Sequence, residues 1–157
     1  MASMSKKGMK WALPICGIVL LTVATVGAFS IPGLNRHDKV KSANGAVAIP
    51  IAKVSDGEAH FYRFPDSGKE LKFFVVKGRD GVIRTAFDAC DVCFMEKKGY
   101  ERNGDTMLCR NCNKRFAINR IGPHAVGGCN PSYLPHRQVS GNLIISVTDL
   151  RAGSRLF

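Results

Sequence analysis

What this 157-residue chain lacks narrows its chemistry. It has no glycine-rich phosphate loop. No serine–histidine–acid set and no pair of carboxylates stands at a spacing suited to hydrolysis, so a hydrolase reading has no support. Acid is scarce, with 12 Asp and Glu against 23 Lys and Arg. Aromatic residues are also few, at 8%, and the basic residues are scattered, which speaks against nucleic acid as a partner. Beyond Phe29 no segment keeps a helical period for more than two turns, which argues against a helical domain. No internal repeat occurs apart from a duplicated Cys-x-x-Cys. Neither copy is followed by histidine, which excludes covalent haem, and no βαβ pattern surrounds them, which argues against a thioredoxin-type pair. With 45% apolar and 22% charged residues, the chain has the make-up of a packed domain rather than a fibrous or disordered one.

One stretch lacks charge altogether. Trp11 to Phe29 holds 19 uncharged residues; as a helix these span about 28 Å, close to the roughly 30 Å thickness of membrane hydrocarbon. Lys6, Lys7 and Lys10 precede it, so the sequence predicts a cytoplasmic tail over 1–10, a single transmembrane anchor over 11–29 and the remainder on the extracytoplasmic side. A cleaved signal peptide ending near Val26-Gly27-Ala28 is the competing reading, and it places the rest on the same side. Residues 30–46, with the breaker Ile31-Pro32-Gly33 and a charged stretch to Asn44-Gly45, read as a linker. Residues 47–157 then form the folded domain, and from Ser30 onward 20 basic residues face 12 acidic ones. That excess suits anionic lipid heads or an acidic protein partner.

Within the domain the pattern is strands and turns. Val47 to Val54 is apolar but contains Pro50, so it is at best an edge strand. Ala59 to Phe64 reads as a strand ending at Pro65. Leu71 to Val76 and Val82 to Thr85 flank Asp80-Gly81 as a hairpin, and two more hairpins turn at Asn103-Gly104 and Ser140-Gly141. The expected class is all-β, a small antiparallel sandwich or barrel with cysteine loops at one end.

The domain's cysteines read Cys90-x2-Cys93-x15-Cys109-x2-Cys112-x16-Cys129. A Cys-x-x-Cys turn points two sulfurs the same way, and two such turns on neighbouring loops offer four thiolates to one centre, a metal-binding spacing. Two disulfides are the plainer alternative in an oxidising compartment. By donor type, four sulfurs suit zinc and an iron–sulfur cluster equally. Cys129 is a candidate fifth ligand or a buried thiol. His60, His124, His136, Met95 and Met107 are weaker donors, each with an ordinary surface or packing role open to it. Asp88 and Asp91 beside the thiols weigh against a highly negative centre, and Lys97, Lys98, Arg110, Lys114 and Arg115 offset them.

Two segments, VVKGRDGVIRTAFDACDVC and MLCRNCNKRF, followed by GPH and SYLPHRQVSGNLIISV, resemble the plan of a Rieske domain, with Cys93 and Cys112 near that family's histidine positions. Closer still, Phe87-Asp88-Ala89-Cys90-Asp91-Val92-Cys93, Lys98-Gly99-Tyr100, Cys109-x2-Cys112 and Gly127-Gly128-Cys129-Asn130-Pro131 resemble the membrane iron–sulfur protein FtrD-like family. This likeness runs from about Gly57 to Val147. It implies a membrane-linked protein whose Cys90, Cys93, Cys109 and Cys112 hold an iron–sulfur cluster, [2Fe–2S] in type. It further implies a link to iron uptake; the expected role is electron transfer with a redox or transport protein partner, which requires no substrate chemistry on this chain. A structural zinc site and a metal-handling accessory protein are the alternatives.

Overall fold

The computed structural model describes residues 36–125 and 128–157. The anchor expected over 11–29 lies outside the described residues, among which no helix is long and apolar enough to cross a membrane. In chain order the elements are β1 (Asp38–Lys39), β2 (Ala46–Pro50), β3 (Ala59–Asp66), β4 (Lys69–Lys77) and β5 (Ile83–Phe87). They continue with β6 (Tyr100–Asn103), β7 (Thr106–Cys109), β8 (Arg115–Ala117), β9 (Arg137–Val139), β10 (Asn142–Ser146) and the short helix α1 (Val147–Ala152). The strands form three sheets, ordered β1-β3-β4-β5, β2-β10-β9 and β6-β7-β8. Their pairs are antiparallel except for β1, which lies parallel to β3. The mostly β, antiparallel character expected from the sequence is present.

β4 organises the domain because both its faces are buried, and a strand so placed reads as a continuous apolar run rather than an alternation. Leu71, Phe73 and Val75 pack with Val47, Ile49, Leu143 and Ile145 from the β2-β10-β9 sheet. Phe74 and Val76 face the other way and join Tyr100, Met107, Ile118 and three of the cysteines. One strand therefore supports two cores, and the second of them contains the thiols.

The three expected hairpins are present as β4/β5, β6/β7 and β9/β10. In the last, Ser140 and Gly141 both take left-handed backbone (φ 47 and 75), the geometry that matches strand twist in a two-residue turn. The run from Val47 divides where proline predicts, into edge strand β2 and a 3-10 turn over Ile51–Val54. β3, in contrast, does not stop at Pro65. It continues to Asp66 and pairs with β4 along its whole length. Pro65 is tolerated because β1 meets β3 only at Tyr62 and Arg63, so its missing N–H faces no strand.

The two faces of β4 lead to a separable prediction. Phe73→Ala and Phe74→Ala are each expected to cost about 3–5 kcal/mol, read from urea midpoints. Only Phe74→Ala is expected to hasten metal loss to a chelator, because Phe73 lies on the opposite face.

Candidate metal centre

The cysteine loops are arranged around the second core. Cys90, Cys109 and Cys129 are buried, while Cys93 and Cys112 are half-buried. The sulfurs of Cys90, Cys93 and Cys129 all lie within 4.8 Å of one another, and so do those of Cys93, Cys109 and Cys112. Cys93 belongs to both groups, and its Sγ is 3.5 Å from that of Cys129.

Local chemistry explains how three loops converge. In the first, which follows β5, the Cys93 N–H donates to Cys90 Sγ at 3.1 Å, which fixes the turn between the two cysteines. In the second, Cys109 ends β7, and its N–H donates to the Lys114 carbonyl at 2.9 Å. Its own carbonyl accepts from Asn113 N–H at 2.9 Å, with Asn113 left-handed at φ 58. Cys112 sits inside this turn. The third loop is held by Tyr100, whose hydroxyl donates to the Cys129 carbonyl at 2.6 Å. Tyr100 also lies directly opposite Cys109 in the β6–β7 ladder.

Asp88 ties these parts together. Its side chain is only 3% exposed; one carboxylate oxygen accepts the Tyr100 N–H at 2.7 Å and the other meets His37 Nε2 at 2.8 Å. Arg36 lies 3.8 Å from the same carboxylate, and its guanidinium stacks on the Phe61 ring, 3.6 Å from the centroid. Gly99 has φ +68, and a Cβ there would stand 2.5 Å from the Asp88 carboxylate. This position therefore needs glycine for both backbone and space.

The thiols differ in readiness to ionise. Burial pushes the Cys109 thiol up to about 11, whereas the Lys114 backbone N–H draws Cys112 down to about 7. Burial also raises Cys129, and it raises the Tyr100 hydroxyl well above its ordinary range. Buried thiols in a core hold their protons until a cation compensates the charge.

The other sequence candidates have contacts of their own. His136 bonds to Thr85 at 2.7 Å, and burial lowers its pKa. His60 pairs with Asp56 at 2.7 Å. Met107 is core and Met95 is exposed. Neither aspartate adds an unbalanced charge at the thiols, because Asp88 has the partners above and Asp91 pairs with Arg155 at 2.7 Å. Arg36 and His37 carry no signal of this role in the sequence, and Tyr100 enters there only as part of the Lys98-Gly99-Tyr100 run.

A mostly antiparallel β domain that gathers five thiols beside its central sheet has the donor set of a thiolate metal site. More particularly, the chain belongs to the family of membrane iron-sulfur containing protein FtrD-like, whose model matches residues 54–157. No curated protein matches the chain. Among solved structures it is similar to the quaternary ammonium Rieske monooxygenase CntA in complex with an inhibitor, at 12% identity and a TM-score of 0.42. That likeness covers 73% of this chain and 32% of the other, so the chain spans about a third of that structure's length.

Two predictions follow from these contacts. Asp88→Asn and Gly99→Ala each disturb a buried, paired carboxylate, where breaking a pair costs about 3–5 kcal/mol. Both are expected to lower the urea midpoint and to speed metal release to a chelator. The second concerns pH. With its folded pKa above the ordinary thiol value of 9.0, Cys109 stays neutral in the fold but ionises in the unfolded chain. The metal-free protein is therefore expected to lose stability as pH rises from about 9 toward 11, while the metal-loaded protein, its thiolates already bound, holds. A urea series across that range reads both.

Proposed function

We propose that this chain is a membrane-anchored iron–sulfur protein of electron transfer, with its β domain on the extracytoplasmic side and a redox or transport protein as partner. Two overlapping thiol groups sharing Cys93 carry this reading. The donor set fits such a cluster, since soft thiolates are the ligands that iron–sulfur centres take. Cys90, Cys93, Cys109 and Cys112 would hold a [2Fe–2S] cluster, with Cys129 placed against Cys93 as a further thiol. One-electron transfer is the chemistry that group supplies when bound. The protein's part is to hold the sulfurs, bury Cys90 and Cys109, and leave Cys93 and Cys112 nearer solvent. A Rieske-like plan for the domain is consistent with one cysteine loop following β5 and another following β7. Family membership supports the link to the membrane and, more loosely, to iron uptake. The same sulfurs also suit a structural zinc ion, which needs no redox partner.

The visible spectrum of the full chain, purified anaerobically in detergent and then treated with dithionite, separates the two. Sulfur-to-iron charge-transfer bands that bleach on reduction are expected, and Cys90→Ser and Cys109→Ser should each remove most of the colour. All-sulfur ligation further predicts a potential towards roughly −400 mV, below Rieske centres. A protein that stays colourless after reconstitution would overturn the electron-transfer reading in favour of zinc.

A further inference from the structure

Beside Cys90, Cys93 and Cys109 lies a cavity of about 380 Å³. Cys90, Cys93 and Cys109 form its inner wall, so it opens directly onto one side of the thiol centre, away from Cys112 and Cys129. Its volume falls in the range of about 300–1,000 Å³ common to small-molecule sites. The walls carry an excess of positive charge. Lys69, Lys72 and Lys97 line it, and the acid among its lining residues, Glu70, is engaged by Arg63 at 2.6 Å. Lys69 Nζ donates to the Ser154 carbonyl at 3.0 Å, a neutral partner that leaves its charge uncompensated. Lys72 and Lys97 form no ion pair among the described residues. Lys97 also holds left-handed backbone (φ 52), fixed by its N–H to the Phe94 carbonyl at 3.0 Å. Phe94 and Phe157 add aromatic surface to the same walls.

We propose that this cavity is a binding site for a small planar aromatic carboxylate, with Lys72 and Lys97 meeting the charge and Phe94 and Phe157 the ring. Uncompensated ammonium groups select an anion, and the apolar rings favour one whose charge is carried on an aromatic frame. An occupant there rests against the Cys90–Cys93 loop and covers that side of the thiol centre from water.

The test is calorimetric titration of 2,6-naphthalenedicarboxylate into the full, metal-loaded chain in zwitterionic lipid nanodiscs, with empty discs subtracted. An uncharged probe of the same outline, 2,6-naphthalenedimethanol, runs beside it. The dicarboxylate is expected to bind once per chain and at least tenfold more tightly than the diol. Lys72→Gln with Lys97→Gly should weaken it at least tenfold. Glycine at 97 keeps the left-handed backbone without strain, so the loss is not one of folding. Lys53→Gln, at a lysine that does not line the cavity, should leave it unchanged. Equal binding of the two probes, unaltered binding by the double variant, or no binding of the dicarboxylate would overturn the proposal. A colourless protein that still binds the dicarboxylate removes the iron–sulfur reading and leaves this site standing.

Discussion

The carboxylate of Asp88 is almost wholly removed from water, and a charge in that position is tolerated only when its surroundings are shaped to it. Each partner then constrains a different stretch of chain. The Tyr100 N–H fixes where β6 begins, and Gly99 must lack a Cβ to let that strand approach. His37 and Arg36 bring in the segment just before β1, which is why Asp38–Lys39 can lie along β3. Tyr100 carries the same connection onward through its hydroxyl to the loop of Cys129. One buried charge thus links the linker end, the first cysteine loop, the second hairpin and the third loop.

This arrangement makes the metal centre a property of the whole domain. Phe74 contacts Tyr100 with ring centroids 6.1 Å apart, and Tyr100 in turn contacts Phe116 of β8. The face of β4 that supports the thiols is backed by the face that packs on β2 and β10. Interiors of this kind are close-packed and transmit strain. A volume change on one face of β4 is felt as lost packing, while a change on the other face is felt also as displaced sulfur.

Much of this was legible in the sequence, for reasons that are local. Asp80-Gly81, Asn103-Gly104 and Ser140-Gly141 announce hairpins because turn chemistry is set within four residues. The unbroken run in β4 announces burial, and the paired Cys-x-x-Cys turns announce a shared centre. What escaped the reading depends on distant contacts. Nothing near Pro65 tells that β1 stops short of it, so the continuation of β3 to Asp66 was hidden. Arg36 and His37 look like ordinary linker residues until Asp88, some fifty positions on, is placed beside them. Asp88 itself looked like an electrostatic burden on the thiols, whereas its charge is matched by His37, Arg36 and the Tyr100 N–H. The closeness of Cys129 to Cys93 likewise needs Tyr100 to hold its loop.

Five thiols in and beside a core set a further constraint. As neutral groups they pack like small apolar side chains, and burial holds Cys109 and Cys129 in that form. As thiolates they would repel one another at these separations unless a cation lay among them. Cys112, whose thiol is drawn down to about 7, is also one of the two nearer solvent, and its charge is stabilised first by the Lys114 backbone N–H and then by the thiols of Cys129, Cys109 and Cys93. The burial that shields the centre therefore also makes its loading a proton-releasing event. Neutral packing in the unloaded protein and strong binding in the loaded one follow from the same low-dielectric surroundings, with the sign of the effect set by the arrival of positive charge.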